Sequence, residues 1–303
     1  MSKWIAGVFA ALLTLSSALA EQDCRLTLAT SLPTTIKENA IFVDGAIGEH
    51  PIKLVVDTGA QTSVLRHDLA DQLGIKYDIL KSYQYASIFG GVGMHHFAKI
   101  KGFTLGTLKA DGVAVLLMPE NTKHSRAWDG LLGENILSVY DVDFDFAKAK
   151  MNLFLPHPCA GKVVYWTQDD DAVARVAMQF NGDHIRLPVL LDGQKINAIL
   201  DTGASDTVLD QETFMPLFGL TPQSPGVTSV IIPGVSLPRY SYTFKTLNFE
   251  GVTVQNPKVW FISQKYSKDS DYKMLLGQDI IRQLHMFISY KEKMLYITSA
   301  TQR

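Results

Sequence analysis

Two aspartates stand at the ends of matching apolar segments. "KLVVDTGAQTSVL" (Lys53 to Leu65) and "AILDTGASDTVL" (Ala198 to Leu209) each carry Asp-Thr-Gly-Ala behind a run of aliphatic residues. Asp57 and Asp201 are 144 residues apart (201 − 57 = 144). A charged group at the end of a buried strand is costly unless it has a partner. We therefore expect these two aspartates to be each other's partner.

Two carboxyl groups at close range supply both an acid and a base. Because two adjacent negative charges repel, such a pair shares one proton near its working pH, and its pKa values split. The ionised carboxylate can then remove a proton from a bound water, while the protonated carboxyl group polarises a carbonyl. This chemistry hydrolyses a peptide bond without a covalent intermediate, and we expect no metal and no cofactor.

The Asp-Thr-Gly motif is part of a longer internal repeat. The same offset places "LLGENIL" (Leu131 to Leu137) on "LLGQDII" (Leu275 to Ile281) and aligns Gly90 with Gly234. A single Asp-Thr-Gly is a weak signal, because Asp and Gly are favoured in ordinary turns. Three segments in one register instead indicate a duplicated unit.

The segments around these motifs are typical of β-structure. "NAIFVDGAIGEHPIKLVV" and "IRLPVLLDGQKINAIL" are each two apolar runs joined by a turn signal, the pattern of a hairpin. "FDFAKAKMNLFL" and "FISYKEKMLYI" predict terminal hairpins of the same type. Helical patterns are confined to "RHDLADQLG" and the segments after Gly133 and Gly277. These patterns predict that both halves of the chain are β-rich.

From these motifs, the chain after residue 20 resembles two retropepsin-like aspartic protease domains in tandem, a bilobal relative of the pepsin architecture. "DTGASDTVL" is especially similar to the viral retropepsin pattern. Each domain of that family supplies an Asp-Thr-Gly loop, a glycine-tipped flap hairpin and an apolar-apolar-Gly segment beneath the loop. The resemblance implies an all-β fold of two homologous β-barrel lobes with a cleft between them. It also implies an aspartic endopeptidase in which Asp57 and Asp201 are catalytic and a peptide or protein is the substrate.

The resemblance also implies roles for the residues around the two aspartates. The threonines are expected to hydrogen-bond across the lobe interface, and the glycines to let the backbone approach the carboxylates. The expected loop-support residues are Thr58, Gly59, Thr202 and Gly203. The expected flap and substrate-binding residues are Gly90, Gly91, Gly93, Gly234 and Asp206.

Four positions depart from the patterns of the better-known relatives. Glu134 and Gln278 stand where viral retropepsins have an arginine that locks the dimer, a lock that a single chain needs less. Ala60 and Ala204 stand where pepsins have Ser or Thr. A hydroxyl there can donate to the ionised aspartate and lower its pKa. Its absence predicts a pH optimum above that of pepsin-type enzymes.

The 303 residues divide into four predicted segments. Residues 1–20 combine the positive charge of Lys3, an apolar run and the cleavage box Ala18-Leu19-Ala20, which predicts a signal peptide. The alternative is a membrane anchor, but the apolar run is shorter than the about 20 residues that a spanning helix needs. The other segments are the N-terminal lobe (21–156), a linker (157–174) and the C-terminal lobe (175–303).

Cysteine content and charge limit the cellular setting and the partners. Cys24 and Cys159 are the only cysteines, and export permits a disulfide between them, although two free thiols are the alternative. The formal net charge is −2 and no basic patch is present, so a nucleic-acid partner is not expected. We expect a monomer without a stable membrane anchor, exported to a bacterial periplasm or secreted.

Two other functions fit the motifs less well than proteolysis does. A non-catalytic peptide-binding or assembly module could keep the fold, but it would need neither aspartate. A two-carboxylate glycosidase would leave the duplication unexplained. His95 and His96 lack the spacing of a metal motif and are interpreted as exposed strand residues.

Overall fold

The computed structural model describes residues 24–80, 86–88, 92–118, 128–181, 184–231, 238–263 and 274–300. The strands of the first half are β1 (Leu28–Pro33), β2 (Thr35–Lys37), β3 (Ala40–Ile47), β4 (His50–Val56), β5 (Val64–Arg66), β6 (Tyr77–Ile79), β7 (Ala86–Ile88), β8 (Val92–Met94), β9 (His96–Ile100), β10 (Phe103–Leu105), β11 (Leu108–Ala110), β12 (Val113–Met118), β13 (Gly130–Leu132), β14 (Asp141–Asp145) and β15 (Lys150–Phe154).

The second half repeats this succession of short strands. Its strands are β16 (Ala174–Ala177), β17 (Gln179–Asn181), β18 (His184–Leu191), β19 (Gln194–Leu200), β20 (Val208–Asp210), β21 (Thr228–Val230), β22 (Arg239–Thr243), β23 (Thr246–Phe249), β24 (Val252–Gln255), β25 (Lys258–Ile262), β26 (Met274–Leu276), β27 (Leu284–Ser289) and β28 (Met294–Ser299). The helices are α1 (His67–Gln72), α2 (Glu134–Leu137), α3 (Gln211–Leu217) and α4 (Gln278–Ile281), with a 3-10 turn at Asp170–Ala172. The prediction of an all-β fold is confirmed.

Each half contains a ten-stranded sheet, and the two sheets have the same strand order. In the first half the order is β11-β10-β3-β4-β13-β5-β12-β9-β6, with β2 added on β3. In the second half it is β24-β23-β18-β19-β26-β20-β25-β22-β21, with β17 added on β18. The sequence repeat is therefore a repeat of topology, strand for strand.

The predicted hairpins around the two aspartates are confirmed. β3 and β4 pair antiparallel from Phe42↔Val55 to Ile47↔His50, and β18 and β19 pair in the same way. Alternate residues of β4, such as Leu54 and Val56, enter the apolar core because side chains of a strand alternate between its two faces. The buried ends of β4 and β19 fix where the two aspartates emerge.

A six-stranded sheet of order β1-β15-β14-β27-β28-β16 joins the lobes. Its centre is the antiparallel pair β14 and β27, in which Val142 lies opposite Ile288 and Asp145 opposite His285. The first three strands come from one half and the last three from the other, so each lobe supplies half of the sheet. The side chains that this sheet adds to the common core include Val142, Phe144, Met151, Leu153, Met286, Ile288, Leu295 and Ile297.

A disulfide links Cys24, just before β1, to Cys159 in the segment between the lobes, with Cα atoms 5.5 Å apart. The ring of His157 lies between them, with Nε2 2.8 Å from the Cys24 carbonyl oxygen and Nδ1 2.8 Å from that of Cys159. The predicted signal peptide lies outside the described residues. Within the described ranges, no helix has the length and apolar composition to cross a bilayer.

The helices follow the predictions at three places and correct them at a fourth. α1, α2 and α4 occupy the three segments with helical patterns. The helix α3 was not predicted; it contains Pro216, a residue that usually breaks helices. Here Pro216 lies near the C-terminal end of the helix, and the Asp210 carboxylate caps the other end by accepting the Thr213 N–H at 3.0 Å.

Candidate active site

Each of the two aspartates follows a strand that pairs with the Leu-Leu-Gly strand of its own lobe. β13 runs parallel to β4 and antiparallel to β5, so it lies between the strands on either side of the first Asp-Thr-Gly loop. The N–H of Asp57 donates to the carbonyl of Leu132 at 3.0 Å. In the second lobe, β26 takes the same place, and Asp201 N–H donates to the Leu276 carbonyl at 3.1 Å. Each loop is thus fixed by backbone bonds to the Leu-Leu-Gly segment.

Thr58 and Thr202 join the two loops across the lobe interface. Thr58 Oγ1 donates to the Leu200 carbonyl at 2.7 Å and accepts the Thr202 N–H at 3.1 Å. Thr202 Oγ1 donates to the Val56 carbonyl at 2.8 Å and accepts the Thr58 N–H at 3.0 Å. Both side chains are fully buried, so these four reciprocal bonds have no competition from water and set the spacing of the loops.

The glycine of each motif lies against the aspartate of the other lobe. A methyl group built on Gly59 would come within 2.6 Å of Asp201 Oδ1, and one on Gly203 within 2.5 Å of Asp57 Oδ1. Both separations are far below van der Waals contact, so any side chain at either glycine would displace the opposite carboxyl group. This crossed arrangement brings the two carboxyl groups face to face.

The two carboxyl groups form a hydrogen bond with each other, and each accepts hydrogen bonds from nearby backbone N–H groups. Gly59 N–H donates to Asp57 Oδ1 at 2.9 Å; Gly203 and Ala204 donate to Asp201 Oδ1 at 2.9 and 3.0 Å. Burial and then the charge of Asp201 raise the pKa of Asp57 well above its usual value. Burial also raises the pKa of Asp201, although the amides of Ala204 and Gly203 oppose this. Both residues remain partly exposed, as an accessible pair requires.

Comparison with known proteins agrees with this geometry. Residues 43–139 match the family model described as "gag-polyprotein putative aspartyl protease", and residues 187–280 match the model described as "Aspartyl protease". Each match contains one of the two loops. This chain is a bilobal aspartic protease of the retropepsin and pepsin type.

A solved structure shows the same fold for nearly the whole protease. The crystal structure of aspartic proteinase from Irpex lacteus is similar with a TM-score of 0.56 and 14% sequence identity. The similarity covers 89% of this chain and 96% of that one. No curated protein sequence matches the chain significantly.

A second set of hydrogen bonds, which sequence reasoning missed, supports each loop of the protease. Ser63 Oγ accepts the N–H of Gly133 at 2.9 Å, and Asn135 Oδ1 accepts from Ser63 N and Oγ at 2.7 and 2.8 Å. In the other lobe, Asp279 Oδ1 accepts from Thr207 N and Oγ1 at 2.9 and 2.6 Å. The repeat offset aligns Ser63 with Thr207 and Asn135 with Asp279. This correspondence between the lobes is the signal in the sequence from which these supporting residues could have been found.

The two lobes differ at the residue after Leu-Leu-Gly. Tyr290 of the second lobe donates its hydroxyl to Glu134 Oε1 of the first at 2.8 Å. Burial and the charge of Glu134 raise the pKa of Tyr290 well above its usual value, which keeps the hydroxyl protonated. Gln278 instead donates through Nε2 to the Thr202 carbonyl at 3.1 Å, within its own lobe. One lobe therefore uses this position as a link to the other, and the second uses it to brace its own loop.

Hairpins stand at both predicted flap positions of the protease. β7 and β8 pair antiparallel with Ser87 opposite Gly93, and β21 and β22 flank the second flap segment. Asp206 lies partly exposed in the loop after the second motif, where its backbone packs against Gly277. Three predicted flap residues lie outside the described residues: Gly90, Gly91 and Gly234.

Proposed function

We propose that this protease is an exported endopeptidase that hydrolyses peptide bonds with a water held between Asp57 and Asp201. The observation that carries the proposal is the pair of facing carboxyl groups of Asp57 and Asp201, which are hydrogen-bonded to each other and have raised pKa values. Such a pair retains one proton where an isolated aspartate would have lost it. It therefore offers one acid and one base at the same time.

In the proposed reaction, the carboxylate of Asp201 takes a proton from the water as the water oxygen bonds to the peptide carbonyl carbon. Asp57 gives its proton to the carbonyl oxygen, which produces a neutral tetrahedral diol. Asp201 then passes its proton to the nitrogen as the C–N bond breaks. One diol hydroxyl returns a proton to Asp57 as the new carboxylic acid forms. The pair ends in its starting state, so no further proton source is required.

Two observations support export and a monomeric enzyme. The disulfide between Cys24 and Cys159 is of a kind that persists in oxidising compartments. Both halves of the site come from one chain, so no second copy is needed to complete it. If export occurs as proposed, the N-terminus of protein recovered outside the cytoplasm is Glu21. Sedimentation should give a monomer with full activity, and activity confined to a dimer would contradict this.

Digestion of a denatured protein mixture over a series of pH values tests the function directly. The expected result is internal cleavage that a pepstatin-type inhibitor blocks. Asp57→Asn and Asp201→Asn, purified in the same way, are the matched controls for contaminating proteases. Peptide binding without cleavage at every pH would favour the alternative of a non-catalytic binding module.

A further inference from the structure

The register of β18 and β19, continued beyond its last pair, points His184 towards one of the two aspartates. The last observed pair is Arg186 opposite Ile199, and β19 ends at Leu200, so two further steps would bring His184 opposite Asp201 in the loop that follows. Directly opposed residues of antiparallel strands have Cα atoms about 4.5–5.5 Å apart. Burial raises the pKa of Asp201, the amides of Ala204 and Gly203 and the hydrogen bond with Asp57 oppose this rise, and the charge of His184 lowers the pKa by a smaller amount.

The other lobe has no ionisable group at this position. β3 and β4 are antiparallel with Phe42 opposite Val55, so the same extension brings Ala40 opposite Asp57. The repeat offset also aligns Ala40 with His184. The strand geometry is therefore equivalent in the two lobes, and only the side chain differs.

Other groups near His184 are identified by the same strand geometry. On β18, Arg186 is two residues away and shares its face, because side chains two apart in a strand point the same way. On β17, the residue paired with His184 is Asn181, which carries no charge. From the loops, the continued register brings the carboxyl group of Asp201 opposite His184. His184 thus has a cationic neighbour, Arg186, on its own strand and faces the carboxyl pair through Asp201.

We propose that His184 is a positioning residue that directs the negative charge of the pair to Asp201, making Asp201 the base and Asp57 the acid. The assignment of roles rests on the proposed function. The hydrogen bonds favour the same direction, because Asp201 Oδ1 accepts two N–H groups within 3.0 Å. Asp57 Oδ1 accepts Gly59 N–H at 2.9 Å, and the Ala60 amide adds a weaker contribution.

Titration of the free protein tests the proposal without any need for cleavage. The carboxyl carbons of the aspartates are labelled with ¹³C and followed by NMR, and Asp57→Asn and Asp201→Asn assign the two signals. In His184→Gln, the lower midpoint of the pair should rise by about half a pH unit, because a nearby cation that favours the carboxylate is lost. Ala40→His, the mirror variant, should lower the midpoint and move charge toward Asp57. An unchanged midpoint in His184→Gln overturns the proposal.

Kinetics separates an electrostatic role from a structural one. The acid limb of kcat/KM should move to higher pH in His184→Gln by the same amount as the NMR midpoint. A role in packing alone would lower the plateau at every pH and leave the limb in place, which would contradict the proposal. Thermal melting of His184→Gln and His184→Ala identifies any loss of folding. If the wild-type protein cleaves nothing, the proposed function fails, and the NMR titration still decides whether His184 controls the pair.

Discussion

The two lobes of this protease are nearly identical where they set geometry and different where they set charge. Their sheets share one strand order, and the threonine bonds across the interface are reciprocal to within 0.1 Å (2.7 and 2.8 Å; 3.1 and 3.0 Å). Glu134 and Gln278, however, stand at equivalent positions, as do Ala40 and His184. The two matched loops fix the spacing between the two carboxyl groups, but an acid and a base need unequal surroundings. The differences supply that inequality.

The largest effect is expected from removing either carboxylate, because the two act as a unit. Asp57→Asn and Asp201→Asn should each lower kcat by about 10²–10⁴-fold, the usual contribution of general acid–base groups. The double variant should be little worse than either single one, since residues that act together are strongly non-additive. Cleavage of a peptide under single-turnover conditions measures this. Near-wild-type turnover in one single variant would show that the aspartates do not share one site.

The cross-lobe threonines should be equivalent in stability. Thr58→Ala leaves the carbonyl of Leu200 and the N–H of Thr202 without these partners in a buried site, at a cost of about 2–4 kcal/mol. Thr202→Ala should cost the same within about 1 kcal/mol, because its bonds are the mirror image. Urea denaturation measures both. The Ser variants retain the hydroxyl and serve as controls. A clear difference between the two Ala variants would show that the two threonines contribute unequally to the free energy of unfolding.

The link between Tyr290 and Glu134 should break the equivalence of the lobes. Tyr290→Phe removes the donor from a buried carboxylate, which should lower the free energy of unfolding by about 1–3 kcal/mol. Glu134→Gln keeps an oxygen that accepts the Tyr290 hydroxyl, so its cost should be smaller. Chemical denaturation of both variants gives the comparison. If Glu134→Gln is the more damaging change, the charge of Glu134 and not its bond to Tyr290 matters for stability.

Asp57→Asn should also stabilise the fold above acidic pH. The pKa of Asp57 is raised in the folded state, so folding disfavours its ionisation. Stability from this group is complete below the pKa of the unfolded chain and is lost as pH rises through the folded value. An asparagine does not ionise, so the melting temperature of the variant should exceed that of the wild type at neutral pH and match it at low pH. A lower melting temperature at neutral pH would contradict the sign.

The smallest effect is expected at the residues after Asp-Thr-Gly. Ala60→Ser combined with Ala204→Thr adds a hydroxyl donor beside each aspartate and favours the ionised form. The acid limb of the pH–rate profile should therefore move down by a few tenths of a unit. The Ala60→Ser and Ala204→Thr single variants divide the shift between the lobes. A limb that stays in place or moves up would show that these hydroxyls do not reach the carboxylates.

Local patterns in the sequence predicted the β-rich halves and their duplication, but not the six-stranded sheet that joins the lobes. Alternating apolar residues with turn signals predicted the hairpins around β4 and β19, because strand formation and side-chain direction depend on neighbours along the chain. The offset of 144 residues predicted the duplication, and the resemblance identified the type of enzyme. The one helix that was missed, α3, contains Pro216, whose effect depends on its place in the helix and not on composition alone.

The sequence by itself determined that this protein has two β-lobes, each with an Asp-Thr-Gly loop, because those properties follow from short segments and their repetition. Only the tertiary structure decided which groups surround each aspartate. Tyr290 reaches Glu134 from 156 residues away, and the register of β18 and β19, continued beyond its last pair, brings His184 towards Asp201. A pKa depends on burial, charge and hydrogen bonds within a few ångströms, and chain folding assembles those contacts from distant segments. The duplication of the lobes is visible in the sequence, whereas the different surroundings of the two aspartates are visible only in the folded protein.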